Sequence, residues 1–227
     1  MNVAAIVPAA GAGKRLGSKT PKAFVRVGGV PLLTLTLKCL RTAYPFKEII
    51  VAARPANIKK YRSLLMAHGL KEAKVVGGGV TRAASVFNAM SAVSKDSEWV
   101  LVHDAARPFV DKRLVARLLM EAKKTGAALC ALPATGTVKR VDTKKRVLGT
   151  EDRKTLYLAQ TPQIFRKKLL LDRYLRLGKK AFTATDEAAL FDHTQTRVQI
   201  VSGDERNIKI TTPGDLELAE YYLKRDR

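Results

Sequence analysis

Between Ala4 and Lys22 the chain reads AAIVPAAGAGKRLGSKTPK. An apolar run breaks at Pro8 into Ala9, Ala10, Gly11, Ala12 and Gly13, none with a side chain larger than a methyl. Two cations follow, Lys14 and Arg15, and a third, Lys22, stands after Pro21. Small residues let a backbone approach a ligand closely and aim its N–H groups at it. Groups bound this way are usually phosphates, and nearby Arg and Lys side chains add charge. The stretch is therefore read as a loop that wraps a polyphosphate.

Three other loops compete with this reading. The ATPase phosphate loop needs Gly-Lys followed by Ser or Thr, and here Gly13-Lys14 is followed by Arg15. The dinucleotide fingerprint G-x-G-x-x-G needs glycine where Leu16 stands. A relaxed version using Gly17 survives, with Arg54 after the second strand available to a 2′-phosphate. The plainest alternative is a tight turn that only joins strand to helix.

The elements that must position this loop can be read from periodicity. Val3 to Val7 is a strand. Pro31 to Thr42 has helical spacing, with Leu33, Leu37 and Leu40 on one face. Glu48 to Ala53 is a continuous apolar run, as expected of a strand buried on both faces. A helix over Pro55 to His68 ends at Gly69, and a short strand over Ala73 to Val76 runs into Gly77-Gly78-Gly79. Thr81 caps a helix to about Val93. Glu98 to His103 is another buried strand and meets Asp104-Ala105-Ala106-Arg107. Asp111 caps a helix to Thr125, stopped by Gly126, and Ala127 to Leu132 is a strand. Alternating strands and helices predict an α/β fold, a mostly parallel sheet with helices on both faces. Ligands in such sheets bind beyond the carboxyl ends of the strands, and each glycine-rich or polar cluster falls at such an end.

The pattern changes at Pro133. Thr137 to Thr155 is polar and β-leaning, with a turn near Asp142-Thr143-Lys144, and it carries too few apolar residues to be core. It reads as a hairpin arm, at about 134–156, projecting from a single domain that spans 1–227 and able to reach a second subunit. Then come Gln160-Thr161-Pro162-Gln163, a helix from about Arg166 to Leu177, the stretch Thr183 to Phe191, a strand over Val198 to Val201, and a helix opening at Thr212-Pro213 with acids in its first turn.

Composition excludes several classes. The chain has 227 residues, 46% apolar, enough for a proper core. It has no apolar run long enough for a membrane span, and its opening lacks the features of a signal peptide. Cys39 and Cys130 fit neither a disulfide framework nor a zinc site, which agrees with a reducing cytoplasm. Lys and Arg number 42 against 20 Asp and Glu, a net charge of +22. Such a surface attracts polyanions. The cations nevertheless lie in scattered doublets without interleaved aromatics, so no specific nucleic-acid groove is expected.

Taken together, PAAGAGKRL, TPKAF, GGGVTRAASV, LVHDAARPF, TPQIF, TDEAAL and NIKIT resemble the 2-C-methyl-D-erythritol 4-phosphate cytidylyltransferase family, in order and from end to end. The resemblance implies a Rossmann-like nucleotidyltransferase fold and a cytoplasmic homodimer joined by β-arms. It also implies a place in non-mevalonate isoprenoid precursor synthesis. The implied reaction is attack by a substrate phosphate oxygen on the α-phosphorus of CTP, with loss of pyrophosphate. Such a site needs fixed cations and in-line positioning more than a base, because a phosphate monoester is already ionised.

By the family motif, Arg15 and Lys22 stabilise the transition state, where loss of one charge typically costs about 10²–10³ in rate. Ala9 to Gly13 and Lys14 cradle the triphosphate. Gly78, Gly79 and Ser85 match the base-binding segment, although small residues are also wanted at a helix start. Asp104 would hold the ribose or a divalent metal, usually Mg²⁺. A structural pairing of Asp104 with Arg107 is equally open. Arg82 orients the loop or Asp104. His103 is a packed core residue, and Asp186 is a helix cap. Thr137, Arg153, Thr161 and Lys209 match the acceptor side, with Arg153 and Lys209 on the attacking phosphate. If the arm crosses to a partner, Arg153 serves the neighbouring site. The chain departs from the family pattern at Gly136, where many members carry an acid that contacts the sugar hydroxyls.

Three other functions remain to be separated. Ribitol 5-phosphate is the alternative acceptor. An NADP-dependent reductase would normally need a Tyr-x-x-x-Lys pair, which the chain lacks. A basic nucleic-acid binder would need a complex that survives physiological salt.

Overall fold

The computed structural model describes residues 1–11, 13, 16–17 and 20–225. Its centre is a seven-stranded sheet. Strand β1 (Val3–Pro8) is followed by a two-stranded hairpin, β2 (Arg26–Val27) and β3 (Val30–Pro31), and by helix α1 (Leu32–Ala43). Then come β4 (Glu48–Ala53), α2 (Ile58–Ala67), β5 (Lys74–Gly77), α3 (Arg82–Met90), β6 (Trp99–Val102), α4 (Lys112–Thr125) and β7 (Ala127–Pro133). The second half adds β8 (Lys139–Val141), β9 (Val147–Thr150), β10 (Tyr157–Arg166), α5 (Lys167–Leu177), β11 (Gln199–Ser202) and α6 (Pro213–Arg225). The sheet order is β11-β7-β10-β6-β1-β4-β5. Only β10 runs antiparallel to its neighbours, β6 and β7.

Alternation along the strands divides the core. Val3, Ala5 and Val7 of β1 with Ile49 and Val51 of β4 face α1, α2 and α4, which contribute Leu37, Leu40, Leu65, Leu114 and Leu118. Ile6, Ile50, Val100 and Val102 face the other way, onto Val86 of α3 and Leu170 and Tyr174 of α5. Each central strand is thus apolar on both sides, which accounts for its unbroken hydrophobic reading. A third cluster joins α6, through Ala219, to Val27, Leu32, Ala106 and Ile210. The capping expectations hold. Thr81 accepts from the Ala84 amide, Asp111 accepts from Leu114, and Gly126 ends α4 with φ +86°.

Three differences from the sequence reading have local causes. The box around Pro162 lies inside a ten-residue strand, β10, whose pairing with β7 is irregular between Ala159 and Gln163. A proline there argues against a central strand when read in sequence, and the irregularity is what accommodates it. The helix expected from Pro55 begins with a 3-10 turn over Pro55–Asn57, and α3 ends at Met90, followed by turn backbone. The arm is present: β8 and β9 pair only with each other, and their residues are almost all exposed.

Going from β1 through β4 to β5, the chain steps to one side of the sheet; it then returns to place β6 on the other side of β1. The switch point is at the carboxyl ends of β1 and β6, where an open α/β sheet leaves a crevice.

Candidate active site

A cavity of about 430 Å³ occupies that crevice, within the size range of small-molecule sites. Its walls come from four strand ends: Pro8 to Gly11 with Lys22 and Ala23, Arg54 after β4, Gly79 to Arg82 with Ser85, and Asp104 to Ala106, closed by Lys209. Among the described lining residues Asp104 is the only acid, facing Lys22, Arg54, Arg82 and Lys209. Ala12, Lys14 and Arg15 lie outside the described residues.

The loop after β1 is anchored on both sides. The Ala9 amide donates to Ala52 O at 2.8 Å, and the Tyr61 hydroxyl donates to Ala9 O at 2.7 Å. Burial pushes the Tyr61 phenol up to about 12, so it stays a donor. Gly13 has φ +69°, and a Cβ there would meet the Lys22 Cβ at 2.8 Å. Glycine is thus what lets the loop lie against the Lys22 stem.

Gly78 and Gly79 are close-packed. A Cβ on Gly78 would meet Ser85 Oγ at 2.9 Å and Ala10 Cβ at 3.0 Å, and one on Gly79 would meet Ala84 Cβ at 2.5 Å. Their N–H groups are committed internally, Gly78 to Ala53 O at 2.7 Å and Gly79 to Ser85 Oγ at 3.1 Å. The Ser85 hydroxyl donates to Thr81 O at 2.8 Å. Of the expected base-binding groups, the carbonyls of the segment rather than these donors keep acceptor capacity.

Asp104 anchors the opposite wall. Its Oδ1 accepts from Arg82 Nε at 2.8 Å, and Lys209 Nζ stands 2.6 Å from Oδ2. Arg107, the pairing left open from the sequence, has its Nε 4.0 Å away and spends Nη1 on Asn207 O at 2.6 Å. The partners of Asp104 are therefore Arg82 and Lys209, because the guanidinium of Arg107 is drawn off to the backbone of the 204–210 segment. Burial opposes charge on Asp104, but Arg82 and Lys209 hold its carboxyl well below the usual carboxylate range.

Arg82 continues inward. Its Nη1 donates to both carboxylate oxygens of Glu187 at 2.9 Å, and Tyr174 Oη donates to Glu187 at 3.2 Å. Glu187 is fully buried, and that burial raises its carboxyl despite Arg82. Arg82 thus orients Asp104, as expected from sequence, but from a buried carboxylate that no sequence argument had identified. Its one signal was a second acid in TDEAAL beside the cap Asp186, which accepts from Ala189 N at 3.0 Å.

His103 is a packed core residue. Its Nε2 lies 2.9 Å from Arg107 O and its Nδ1 3.2 Å from Thr161 Oγ1. With Nε2–H donating to the carbonyl, Nδ1 accepts from the Thr161 hydroxyl, whose oxygen in turn accepts the Asp104 amide at 3.0 Å. Burial of the ring brings its pKa down to about 4, so the ring is neutral near neutral pH. Thr161 is buried with its hydroxyl engaged beneath Asp104. Asn207 is also fully buried and donates to Thr161 O at 2.8 Å, and the Ile210 amide donates to Ala106 O at 2.9 Å. These bonds tie the NIK segment to β10 and to the loop after β6, and so carry Lys209 to the cavity.

The remaining expected residues stand apart. Thr137 and Arg153 are exposed at the base of the arm, and Arg153 donates to Thr135 O at 2.9 Å. Neither lines this cavity. A Cβ on Gly136 would meet nothing within 4 Å, so the position is open space.

The metal expectation meets a limited donor set. Among the described residues no group of three or more His, Cys, Asp or Glu is arranged to hold an ion. Asp104 is the one carboxylate among the described wall residues, and with its oxygens paired to Arg82 and Lys209 it could give Mg²⁺ one ligand at most, the substrate phosphates supplying the rest.

A mostly parallel, Rossmann-like sheet with a cation-lined, glycine-walled crevice at its switch point marks a nucleotide-binding α/β protein. Comparison with known proteins narrows the class. Residues 3–225 match the family model described as 2-C-methyl-D-erythritol 4-phosphate cytidylyltransferase. A protein of that name from Bacillus licheniformis is 39% identical over 228 residues, covering 100% of this chain and 98% of its own. One from Acidobacterium capsulatum is 40% identical, covering 99% and 98%. The crystal structure of 4-diphosphocytidyl-2C-methyl-D-erythritol synthase from Anaerococcus prevotii superposes with a TM-score of 0.85 at 33% identity, covering 99% of this chain and 96% of that one. The 2-C-methyl-D-erythritol 4-phosphate cytidylyltransferase from Thermus thermophilus gives 0.79 at 35%, covering 99% and 100%. The chain belongs to the 2-C-methyl-D-erythritol 4-phosphate cytidylyltransferase family. Among the described residues no helix is long and apolar enough to cross a membrane.

Proposed function

We propose that the protein transfers the cytidylyl group of CTP to 2-C-methyl-D-erythritol 4-phosphate. The products are 4-diphosphocytidyl-2-C-methyl-D-erythritol and pyrophosphate. The observation that carries this is the convergence of Lys22, Lys209 and Arg82 on one glycine-walled cavity whose described lining holds a single acid, Asp104. The names of the relatives favour this acceptor over ribitol 5-phosphate.

In the reaction an oxygen of the acceptor phosphate forms a bond to the α-phosphorus, and the bond from that phosphorus to the bridging oxygen breaks. The chain's task is to hold two anions in line and neutralise the charge they share. Lys22, against the loop, and Arg15 serve the transferring phosphoryl group. Lys209 is held ready by Asp104 and meets the phosphates from the opposite wall. Asp104 would be the residue to hold a divalent ion such as Mg²⁺, which would supply further charge neutralisation to the phosphates. No general base is required, and neutral, buried His103 is not one.

Arg153 and Thr137 act on the acceptor in the site of a second subunit, through a cytoplasmic homodimer joined by the arms. Exposed Val147 and Leu148 on the arm, each about 60% accessible, support that docking surface, since exposed apolar residues next to one another mark an interaction site. Pyrophosphate release measured with four nucleoside triphosphates and both acceptors tests the assignment. Release with CTP and methylerythritol phosphate is expected, and release with ribitol phosphate alone would overturn it. Light scattering tests the dimer, with a monomer at assay concentration refuting the arm's role.

A further inference from the structure

We propose that Tyr61 is a positioning residue for the transfer step, setting where Lys22 stands against the backbone loop after β1; this rests on the cytidylyl-transfer reading of the cavity. Tyr61 belongs to α2, is buried, and does not line the cavity. In one direction its hydroxyl donates to Ala9 O at 2.7 Å, at the start of the loop. In the other its ring meets the Phe24 ring edge to face, with centroids 4.8 Å apart and planes at 79°. Phe24 closes the 3-10 turn Lys22–Phe24. Of that turn, Lys22 and Ala23 line the cavity, while Phe24 packs against the core that holds Tyr61. One buried side chain thus holds both borders of the loop, Ala9 and the turn that carries Lys22.

Each border has further support of its own. The Ala9 amide donates to Ala52 O at 2.8 Å, which ties the start of the loop to β4. Lys60 Nζ lies 5.4 Å from the Phe24 centroid, a second contact from α2 onto the same turn. Gly13, with φ +69°, lets the loop lie against the Lys22 stem. Tyr61 relates the two borders to each other. Its hydroxyl bond fixes the Ala9 side by distance and angle, and its ring fixes the Phe24 side by shape. In-line displacement is sensitive to such placement, since a shift of about 1 Å in a positioned group costs roughly a hundredfold in rate. Lying outside the cavity lining, Tyr61 acts through Lys22 and the backbone after β1.

The test is pyrophosphate release from CTP and methylerythritol phosphate by wild type, Tyr61→Phe, Lys22→Ala and the double variant, each checked for folding by circular dichroism. Tyr61→Phe keeps the ring against Phe24 and removes the bond to Ala9 O. Its kcat should fall by about tenfold while KM for the acceptor stays within about twofold of wild type. In the Lys22→Ala background the same substitution should cost less than about threefold, because residues that act through one contact are not additive. A merely structural tyrosine would lower the melting temperature and leave kcat of the folded enzyme unchanged. That result, or an equal loss of kcat in both backgrounds, overturns the proposal. If Tyr61→Phe does not fold, Phe24→Leu decides instead: it keeps the hydroxyl bond, frees the Lys22 turn and should also lower kcat, and an unchanged kcat overturns the role. A wild type that releases no pyrophosphate from this pair overturns the cytidylyl-transfer reading rather than the role of Tyr61 alone.

Discussion

Two sets of cations serve two ends of the molecule, and they are held differently. At the switch point Arg82 and Lys209 are fixed by Asp104 and by fully buried Glu187, at 2.6–2.9 Å. On the arm Arg153 is exposed and held by a single carbonyl, and Arg140 pairs with Glu151 while about 70% accessible. The first set is placed before any ligand arrives, whereas the second would be positioned by docking of the arm in the proposed dimer. Pre-organised charge is what phosphoryl chemistry needs, so the chemistry is expected at the switch point, and the proposed role of the arm is recognition.

The contrast can be tested from its strongest side downward. Glu187→Ala leaves the Arg82 charge half-compensated in the interior and should destabilise the fold by about 3–5 kcal/mol, as for other broken buried pairs. Urea unfolding measures this, and a loss below about 1 kcal/mol would mean that Glu187 does not hold Arg82. Lys22→Ala and Lys209→Ala should each lower turnover by about 10²–10³ while the protein stays folded. Steady-state kinetics with unchanged turnover in either would remove it from the site.

Arg153→Ala should raise KM for the acceptor by about tenfold, the equivalent of one exposed charge contact, and leave KM for CTP alone. An effect on CTP instead would place the arm at the nucleotide. His103 gives a pH test. An unfolded chain binds a proton at its ordinary 6.5, whereas the folded ring resists protonation until about 4. Stability should therefore fall as pH drops through that window, because the unfolded state binds more protons there. Chemical denaturation of His103→Gln should show a flatter profile between those values; an identical profile would discount the histidine. The smallest effect is expected from Arg140→Ala on the arm, under about 0.5 kcal/mol by thermal melting, because exposed pairs contribute little.

Much of this was legible locally. The buried strand at Glu48–Ala53, the caps Thr81 and Asp111 and the stop at Gly126 depend on residues within a few positions of one another. Strand β10 was not legible, because Pro162 contradicts a central strand until the irregular pairing with β7 is seen. In the site, Lys22, Gly79, Ser85, Asp104 and Lys209 were named from motifs and do meet at one cavity. Thr161 was named for the acceptor and is found buried with its hydroxyl under Asp104. Arg54, noticed in the sequence only for a relaxed dinucleotide reading, lies on the wall.

The sequence by itself determined the alternation of elements, the small-residue loops at strand ends and the family, because each is written in short-range spacing and residue type. Only the tertiary structure decided who partners whom. The chain from Lys209 through Asp104 and Arg82 to Glu187 joins four segments spread over more than a hundred positions, and no local pattern specifies it. Buried charges must find opposite charges wherever the packed sheet brings them, since leaving one alone costs far more than any propensity can repay.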